Sequence, residues 1–336
     1  MITISLCMIV KNEEQILDRC LLSLINLVDE IIILDTGSTD RTKEIAQNYT
    51  DKVYDFSWTG SFSDARNASF SYATMDYIYC ADADEMIDEV NQQLFLQMKK
   101  TLLPEIEIVQ MMYCNQLSNN TTYNFDKEYR PKLFKRIREF VWEYPIHEQI
   151  RLTPVIYDSE IEIIHLPMEL HTQRDLSMFE KMTEDDIPIN KKLLNMYARE
   201  LYISGSPEQF LRAKNTFEQT ILEETRDDDE IMESACILAK CALIEQNFSD
   251  FFKYTLKNIA KDGCSESCYE LGNYYFSQKD YKEASIWYYN AAFETQSILN
   301  IKTSAQLPLD GLIRCCNELS LFEQAALYET MLKELD

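Results

Sequence analysis

The chain has 336 residues, of which 46% are apolar and 12% aromatic, enough to form the packed cores of two domains. Its 57 acidic and 32 basic residues give a net charge of −25, and such a surface repels nucleic-acid phosphates, which excludes general DNA or RNA binding. No stretch contains the roughly 20 apolar residues of a membrane-spanning helix, and the apolar first ten residues lack the basic start of a signal peptide, which favours a first strand.

Residues 1–166 alternate short apolar runs with polar breaks. This pattern predicts strands at residues 2–10, 30–34, 52–58, 76–81, 107–114 and 161–165. Helical spacing at 13–27 and a helix start at Asp40 place helices between the first strands. Such alternation predicts a mostly parallel α/β sheet, in which ligands bind beyond the carboxyl ends of the strands. We therefore expect Asn12, Asp35 and Asp82, which each follow a strand, to meet at this edge.

Residues 77–89, YIYCADADEMIDE, run from a predicted buried strand straight into acidic residues. Side chains two apart in an extended chain face the same way, so Asp82 and Asp84 would present two carboxylates together. Carboxylate oxygens are the ligands that Mg²⁺ or Mn²⁺ takes, whereas an isolated pair of this kind is more often a solvated acidic turn. An EF-hand is excluded, because its loop would need Gly and Glu where Ile87 and Gln93 stand.

Residues 127–138 include six basic side chains in an otherwise acidic protein. This cluster favours either a site for phosphates or an anionic acceptor, or a solvated strand face. The six glycines form no GxGxxG or GxxxxGKS loop, which excludes nicotinamide and P-loop chemistry.

From about residue 191 the pattern is helical and repeats. Seven residues keep the spacing of a 34-residue tetratricopeptide repeat: Cys268, Leu271, Gly272, Tyr275, Ala284, Tyr288 and Ala291. Roughly four helix pairs are expected. We predict domains at 1–166 and 191–336, with 167–190, which contains Pro167 and Pro188, as the linker.

The ten cysteines lie in apolar segments without paired spacing, which predicts reduced thiols in a cytoplasmic protein rather than a secreted disulfide framework. Zinc is disfavoured as well, because all three histidines lie between residues 147 and 171, away from the closely spaced cysteines.

Four motifs in the first half occur in a familiar order: ISLCMIVKNEE, VDEIIILDTGSTDRTKEIA, SFSDARNASF and YIYCADADE. In these motifs the chain resembles glycosyltransferase family 2, whose members have the GT-A fold, a Rossmann-like, mostly parallel α/β domain. Family members with tetratricopeptide repeats, such as the sublancin-type peptide S-glycosyltransferases, share the two-part layout. The resemblance implies a sugar moved from a nucleotide-sugar donor, of the UDP type, with inversion, and a bound Mn²⁺ or Mg²⁺.

The same resemblance implies roles for residues in the motifs. Asp82 and Asp84 would form the DxD motif, with Asp84 as the chief metal ligand, and His165 would be a third ligand or else a core histidine; His171 is a weaker candidate. The implied donor-binding residues are Val10, Asn12, Glu13, Asp35, Arg66 and Asp82. Alternatives remain for two of these, since Glu13 also fits the first turn of a helix and Arg66 a helix surface.

The segment VWEYPIHEQI, residues 141–150, resembles the part of the family that binds the acceptor and carries the catalytic base. Family 2 usually has Glu-Asp at this place, and His147-Glu148 departs from that pattern. Glu148 is the expected base, and His147 either orients the acceptor or acts as the base itself.

The expected activity is therefore sugar transfer to a peptide or protein, with the repeats binding the acceptor or joining copies into a homo-oligomer. One alternative is a transferase that builds a glycan or a lipid-linked surface polysaccharide. Another is a non-catalytic scaffold with a degenerate transferase half, although intact Asp35, Asp82 and Asp84 oppose it. Nucleotidyl transfer is disfavoured, because nucleotidyltransferases normally have a Gly-rich basic loop near the N-terminus and this sequence has none.

Overall fold

The computed structural model describes residues 1–114, 127–150, 153–166, 172–223, 225–261 and 263–335. The chain divides into two compact units, Met1–Leu170 and His171–Asp336. The fold class predicted from the sequence, an α/β domain followed by an all-α region, is confirmed.

Strands and helices alternate in the first unit. Its strands are β1 (Ile4–Val10), β2 (Glu30–Asp35), β3 (Val53–Asp55), β4 (Tyr77–Cys80), β5 (Glu85–Met86), β6 (Ile108–Cys114), β7 (Glu128–Lys135), β8 (Trp142–Glu143), β9 (Gln149–Ile150) and β10 (Ile156–His165). Its helices are α1 (Leu17–Leu24), α2 (Thr42–Gln47), α3 (Phe62–Ser71) and α4 (Glu89–Thr101).

Eight strands form one sheet in the order β3-β2-β1-β4-β7-β6-β10-β5. The strands from β3 to β4 are parallel, and β6 is parallel to β10, whereas β7 runs antiparallel to both of its neighbours. Strands β1, β2 and β4 are buried almost throughout, as expected for strands covered on both faces. Val10 pairs with Asp35 in register, so the carboxyl ends of β1 and β2 lie side by side.

Two of the long strands differ from the sequence prediction, and the two-residue strands β5, β8 and β9 were not predicted. β7 was expected only as one interpretation of the basic cluster, and its core residues Leu133 and Phe134 are fully buried. β10 begins at Ile156, five residues before the predicted start at 161, and this outer part is largely exposed. Apolar runs locate strands only where the strand is buried, which explains why the exposed start of β10 gave no signal.

The second unit is all helical in the part that the structure describes. Its helices are α5 (Thr172–Glu184), α6 (Lys191–Ser204), α7 (Pro207–Leu222), α8 (Asp228–Ile244), α9 (Phe248–Ile259), α10 (Ser265–Ser277), α11 (Tyr281–Tyr289), α12 (Gln306–Glu318) and α13 (Phe322–Lys333). Helices that follow one another pack in pairs, for example α8 with α9, α10 with α11 and α12 with α13. None of the described helices has the length and apolar run needed to cross a bilayer.

The predicted linker at 167–190 contains a helix. Leu176, Phe179 and Met182 recur at helical spacing and are buried, which makes α5 part of the second unit. Pro167 and His171 lie outside the described residues. The charged residues of this segment interrupt its apolar spacing in the sequence, so the helix was not predicted.

Tyr288 shows why the repeat spacing requires glycine. A Cβ on Gly272 would lie 2.5 Å from the Tyr288 ring, and one on Gly311 would lie 2.7 Å from it. The ring is fully buried between these helices. Glycine at both positions lets α10 and α12 approach the aromatic residue of α11.

Candidate active site

The acidic residues after β4 lie in a turn. β4 ends at Cys80, and the backbone N–H of Glu85 donates to the carbonyl of Asp82 over 3.2 Å. The alternation of an extended chain therefore does not apply here, and the carboxylates of Asp82 and Asp84 have different partners.

Asp84 lies beside His165. The Nε2 atom of His165 is 3.1 Å from Asp84 Oδ2, because β10 pairs with β5 and brings His165 opposite Glu85. Asp84 Oδ1 is buried, and no described residue hydrogen-bonds it. A buried carboxylate oxygen in need of a partner, next to an imidazole nitrogen, fits a divalent cation.

The full ligand set implied by the resemblance is not preassembled. Among the residues that the structure describes, no three His, Cys, Asp or Glu side chains form a group that could hold a metal ion by themselves. Asp84 and His165 are adjacent, whereas Asp82 faces cationic side chains.

Asp82 is surrounded by positive charge from two other elements. Its Oδ1 atom lies 4.0 Å from Arg66 Nη2 on α3, and its Oδ2 atom lies 3.9 Å from Lys132 Nζ on β7. Desolvation by the surrounding protein raises the pKa of Asp82, but Lys132 and Arg66 outweigh it and hold that pKa below its ordinary value. The side chain is 49% exposed, so this ionised carboxylate remains open to a ligand.

Lys132, from the basic cluster, contacts the acidic turn directly. Its side chain is 7% exposed, and its ammonium pairs with the buried carboxylate of Glu85. Burial raises the pKa of Glu85, and the neighbouring ammonium of Lys132 opposes this shift by favouring the ionised carboxylate. Arg130 instead stacks on the Tyr113 ring, with its Cζ atom 4.0 Å from the ring centre. The cluster is therefore not a uniformly solvated strand face, because Lys132 is buried against the acidic turn.

Arg66 connects the acidic turn to Glu148. Its Nε atom donates to Glu148 Oε1 at 2.7 Å, Nη2 contacts the same oxygen, and Nη1 contacts Cys80 Sγ. Both side chains of the ion pair are 12% exposed, and the guanidinium lies 5.0 Å from the centre of the Trp142 ring. Arg66 is thus not on a helix surface, and much of its hydrogen-bonding capacity is directed inward.

The segment with His147 and Glu148 is a short hairpin formed by β8 and β9. Asn67, next to Arg66 on α3, fixes this hairpin: its side chain donates to Trp142 O at 3.0 Å and accepts from Trp142 N at 2.9 Å. His147 has a φ of 48°, a left-handed conformation that turns the chain between the strands. Arg66 and Asn67 on α3 therefore hold in place the hairpin that contains His147 and Glu148.

Asp35 ends β2 and organises the loop that follows. Its Oδ1 atom accepts the backbone N–H groups of Gly37 and Ser38 at 3.0 and 2.9 Å. Its Oδ2 atom is buried, with no hydrogen-bond partner in the described part of the chain. Gly37 has a φ of 103°, which explains the glycine in this turn.

Asn12 ties this loop to the end of β1. Its side-chain oxygen accepts from Thr39 N at 2.8 Å, and its backbone N–H donates to Ser38 Oγ at 2.9 Å. Glu13 follows, with its N–H on the hydroxyl of Thr42 at 2.7 Å. With Val10 paired to Asp35, the structure brings together four of the residues implied for the donor.

A comparison with known families decides what this unit is. Residues 5–153 match the model of glycosyl transferase family 2. The first unit is a glycosyl transferase family 2 domain. The family predicted from the four motifs is thereby confirmed, and the mostly parallel sheet is the one expected for its GT-A fold.

Two curated relatives extend the comparison. A TPR repeat-containing protein of Synechococcus elongatus is 49% identical over 85 residues, which are 25% of this chain and 21% of the relative. The SPbeta prophage-derived glycosyltransferase SunS of Bacillus subtilis is 26% identical over 271 residues, 75% of this chain and 61% of the relative. The chain thus spans less than two thirds of the length of either relative.

One solved structure is also similar to this chain. Glucosyl-3-phosphoglycerate synthase of Mycobacterium tuberculosis, in complex with Mn²⁺ and UDP-glucose, aligns with a TM-score of 0.39 at 16% identity. The alignment covers 56% of this chain and 81% of that one.

The sequence did not predict the contacts of two residues in the family 2 domain, Asn67 and Lys132. The motif that contains Asn67 does not indicate a role for it, and the sequence does not distinguish Lys132 from the basic residues around it. An asparagine beside Arg66 gives no signal of its hairpin contact, because the contact spans 75 residues. For Lys132, its place within a strand next to Leu133 was the available hint of burial.

Proposed function

We propose that the protein is a metal-dependent glycosyltransferase that moves a sugar from a UDP-sugar donor to a peptide or protein acceptor, with inversion at the anomeric carbon. The observation that carries this proposal is the meeting of two motifs at Arg66, whose guanidinium bonds to Glu148 and lies 4.0 Å from Asp82. Leaving-group and acceptor chemistry must occur within a few ångströms of each other, and this arrangement supports such proximity.

The donor nucleotide is assigned to the edge formed by the ends of β1 and β2. Asp35 has a buried oxygen in need of a donor, which suits an N–H group of a base. Val10 and Asn12 flank it, with Glu13 next in the chain. Asp82, which follows the neighbouring strand β4, would lie nearer the ribose and diphosphate of the donor.

The metal is assigned to Asp84 and His165, with Asp82 nearby. When bound, Mn²⁺ or Mg²⁺ supplies positive charge that neutralises the diphosphate as it leaves. Asp84 offers a buried oxygen and His165 an adjacent nitrogen, which fits such an ion. The scarcity of preassembled ligands fits a cation that takes much of its coordination shell from the donor phosphates.

Glu148 is the proposed base, with His147 as its rival. Inversion requires a group that takes the proton of the acceptor as its oxygen or sulfur attacks opposite the leaving diphosphate. Arg66 holds the Glu148 carboxylate in a fixed position through Oε1. Arg66 thereby contributes less to donor binding than the family resemblance implies and more to the placement of Glu148.

The helical unit is proposed to bind the acceptor. Stacked helix pairs form extended surfaces on which polypeptides bind, and the same surfaces also join copies of a chain. We place the protein in the cytoplasm, in keeping with its ten cysteines, which are all buried and not joined in disulfides.

The test uses the whole chain with a panel of nucleotide sugars and Mn²⁺, with released nucleotide as the readout. We expect one UDP-sugar to be hydrolysed and chelator to stop the reaction. Intact-mass measurement of candidate peptides and glycans then identifies the acceptor. Modification of glycans alone would favour a polysaccharide transferase, and no nucleotide release from any donor would indicate a scaffold.

A further inference from the structure

Lys132 is a buried charge that the proposed mechanism does not use. It lies on β7, and its side chain is 7% exposed. Its ammonium pairs with the carboxylate of Glu85 and lies 3.9 Å from Asp82 Oδ2. Because a buried ammonium is costly unless it is paired, these two carboxylates account for its stability at this position.

The neighbouring basic residues have other contacts. Lys127 pairs with Glu162 on the surface, where both side chains are more than 40% exposed. Arg130 lies over the ring of Tyr113. Of these three residues, Lys132 has the ammonium that pairs with Glu85 and lies 3.9 Å from Asp82, and the charge of Arg130 also acts on Asp82.

The geometry points to Lys132 as a resident counter-cation of the acidic turn, a positioning residue that balances Asp82 and Glu85 in the absence of metal and donor. This inference rests on the proposed function. A positive charge this close to Asp82 opposes the approach of a divalent cation and attracts a diphosphate. The site therefore binds metal poorly by itself and binds metal together with the nucleotide well.

Lys132→Met removes the charge while keeping an unbranched side chain of similar length. We expect Mn²⁺ binding without nucleotide, measured by titration calorimetry, to tighten by roughly tenfold. UDP binding in excess chelator should weaken by about the same factor. Lys132→Arg keeps the charge and should stay close to the wild type in both measurements, and Lys127→Met is the matched control from the exposed part of the cluster.

A second comparison covers the case in which Lys132→Met does not fold, as judged by circular dichroism. Glu85→Gln removes the carboxylate that pairs with Lys132. The ammonium is then balanced by Asp82 alone, so Mn²⁺ binding without nucleotide should weaken. Adding Lys132→Met to Glu85→Gln should then tighten Mn²⁺ binding by roughly tenfold relative to Glu85→Gln alone.

The outcomes distinguish the role of Lys132 from the metal assignment in the proposed function. If the wild type binds Mn²⁺ and each Lys132→Met variant binds it with the same affinity as its parent, the role of Lys132 is overturned. The proposed function would still stand. Wild-type protein that binds no Mn²⁺, with or without UDP, would overturn the metal site and with it the inference.

Discussion

Arg66 and Glu148 form a buried ion pair that ties α3 to the β8–β9 hairpin. The pair spans 82 residues of sequence, with Arg66 Nε donating to Glu148 Oε1 at 2.7 Å. Both side chains are only 12% exposed, and the guanidinium also lies 4.0 Å from Asp82. Loss of one partner would leave the other as an uncompensated buried charge.

Replacement of Arg66 should therefore destabilise the first unit. We expect Arg66→Met to lower the free energy of unfolding by about 3 kcal/mol, measured by urea denaturation, because Glu148 loses its counter-charge. Arg41→Met removes one partner of the exposed Arg41–Glu44 pair and should have a much smaller effect. Equal stability losses in the two variants would show that the Arg66–Glu148 pair contributes no more than a surface contact.

Asp84 should be required for metal-supported donor binding. Asp84→Asn keeps the volume of the side chain and removes its charge, so we expect Mn²⁺-dependent binding of UDP to be lost while the melting temperature stays within a few degrees of the wild type. The exposed residue Asp51 provides the matched control, Asp51→Asn. Undiminished sugar transfer in excess chelator would contradict the metal assignment.

The sequence predicted the parts of the fold that depend on local pattern. The apolar runs that became β1, β2 and β4 are buried on both faces, so each run located its strand. The position of β7 between β4 and β6 was not predictable in this way, because antiparallel insertion depends on which strands meet in space.

In the candidate site, too, local motifs were predictable from the sequence and contacts between distant segments were not. The acidic residues after β4 and the loop at Asp35 were found from spacing and resemblance, whereas the ion pair of Arg66 depends on a contact between distant segments. The expected common face of Asp82 and Asp84 was derived from extended geometry, which ends at Cys80. A motif thus indicates candidate residues, but tertiary contacts decide how their side chains are directed.

Glu233 should make the stability of the helical unit depend on pH. It lies on α8, is 7% exposed and accepts a hydrogen bond from the side chain of Asn195. Burial raises the pKa of Glu233 to about 7, from 4.5 in the unfolded chain, although Asn195 and Arg199 lower it. Between these pKa values the folded state binds more protons than the unfolded state, so stability falls as the pH rises through this window.

The measurement compares Glu233→Gln with the wild type by thermal denaturation at about pH 5 and pH 8. The variant cannot ionise, so its melting temperature should rise relative to the wild type from the lower to the higher pH. Glu329→Gln, on the exposed face of α13, is the surface control. A difference between Glu233→Gln and the wild type that is the same at both pH values would contradict the burial effect.

Separation of the two units should distinguish donor chemistry from acceptor selection. We expect a fragment of residues 1–170, if soluble, to release nucleotide from the donor but to transfer sugar poorly to the peptide identified by intact mass. Residues 171–336 should remain helical by circular dichroism, since helical repeats are stabilised by their nearest neighbours. Transfer by the first fragment at the rate of the whole chain would mean that the helical unit does not select the acceptor.

Glu148→Gln tests the proposed role of Glu148 as the catalytic base. The substitution preserves size and can still accept a hydrogen bond from Arg66, but the amide cannot take a proton from the acceptor. We expect kcat on a hydroxyl acceptor to fall by roughly 10²- to 10⁴-fold with donor affinity nearly unchanged, measured by steady-state kinetics and UDP binding.

The nature of the acceptor and the neighbouring histidine provide the controls. A thiol acceptor should lose less activity in Glu148→Gln, because a few per cent of the thiol is already thiolate near neutral pH. His147→Gln should retain most of its activity if His147 only orients the acceptor. Near-wild-type kcat in Glu148→Gln together with an inactive His147→Gln would identify His147 as the base and reverse the assignment.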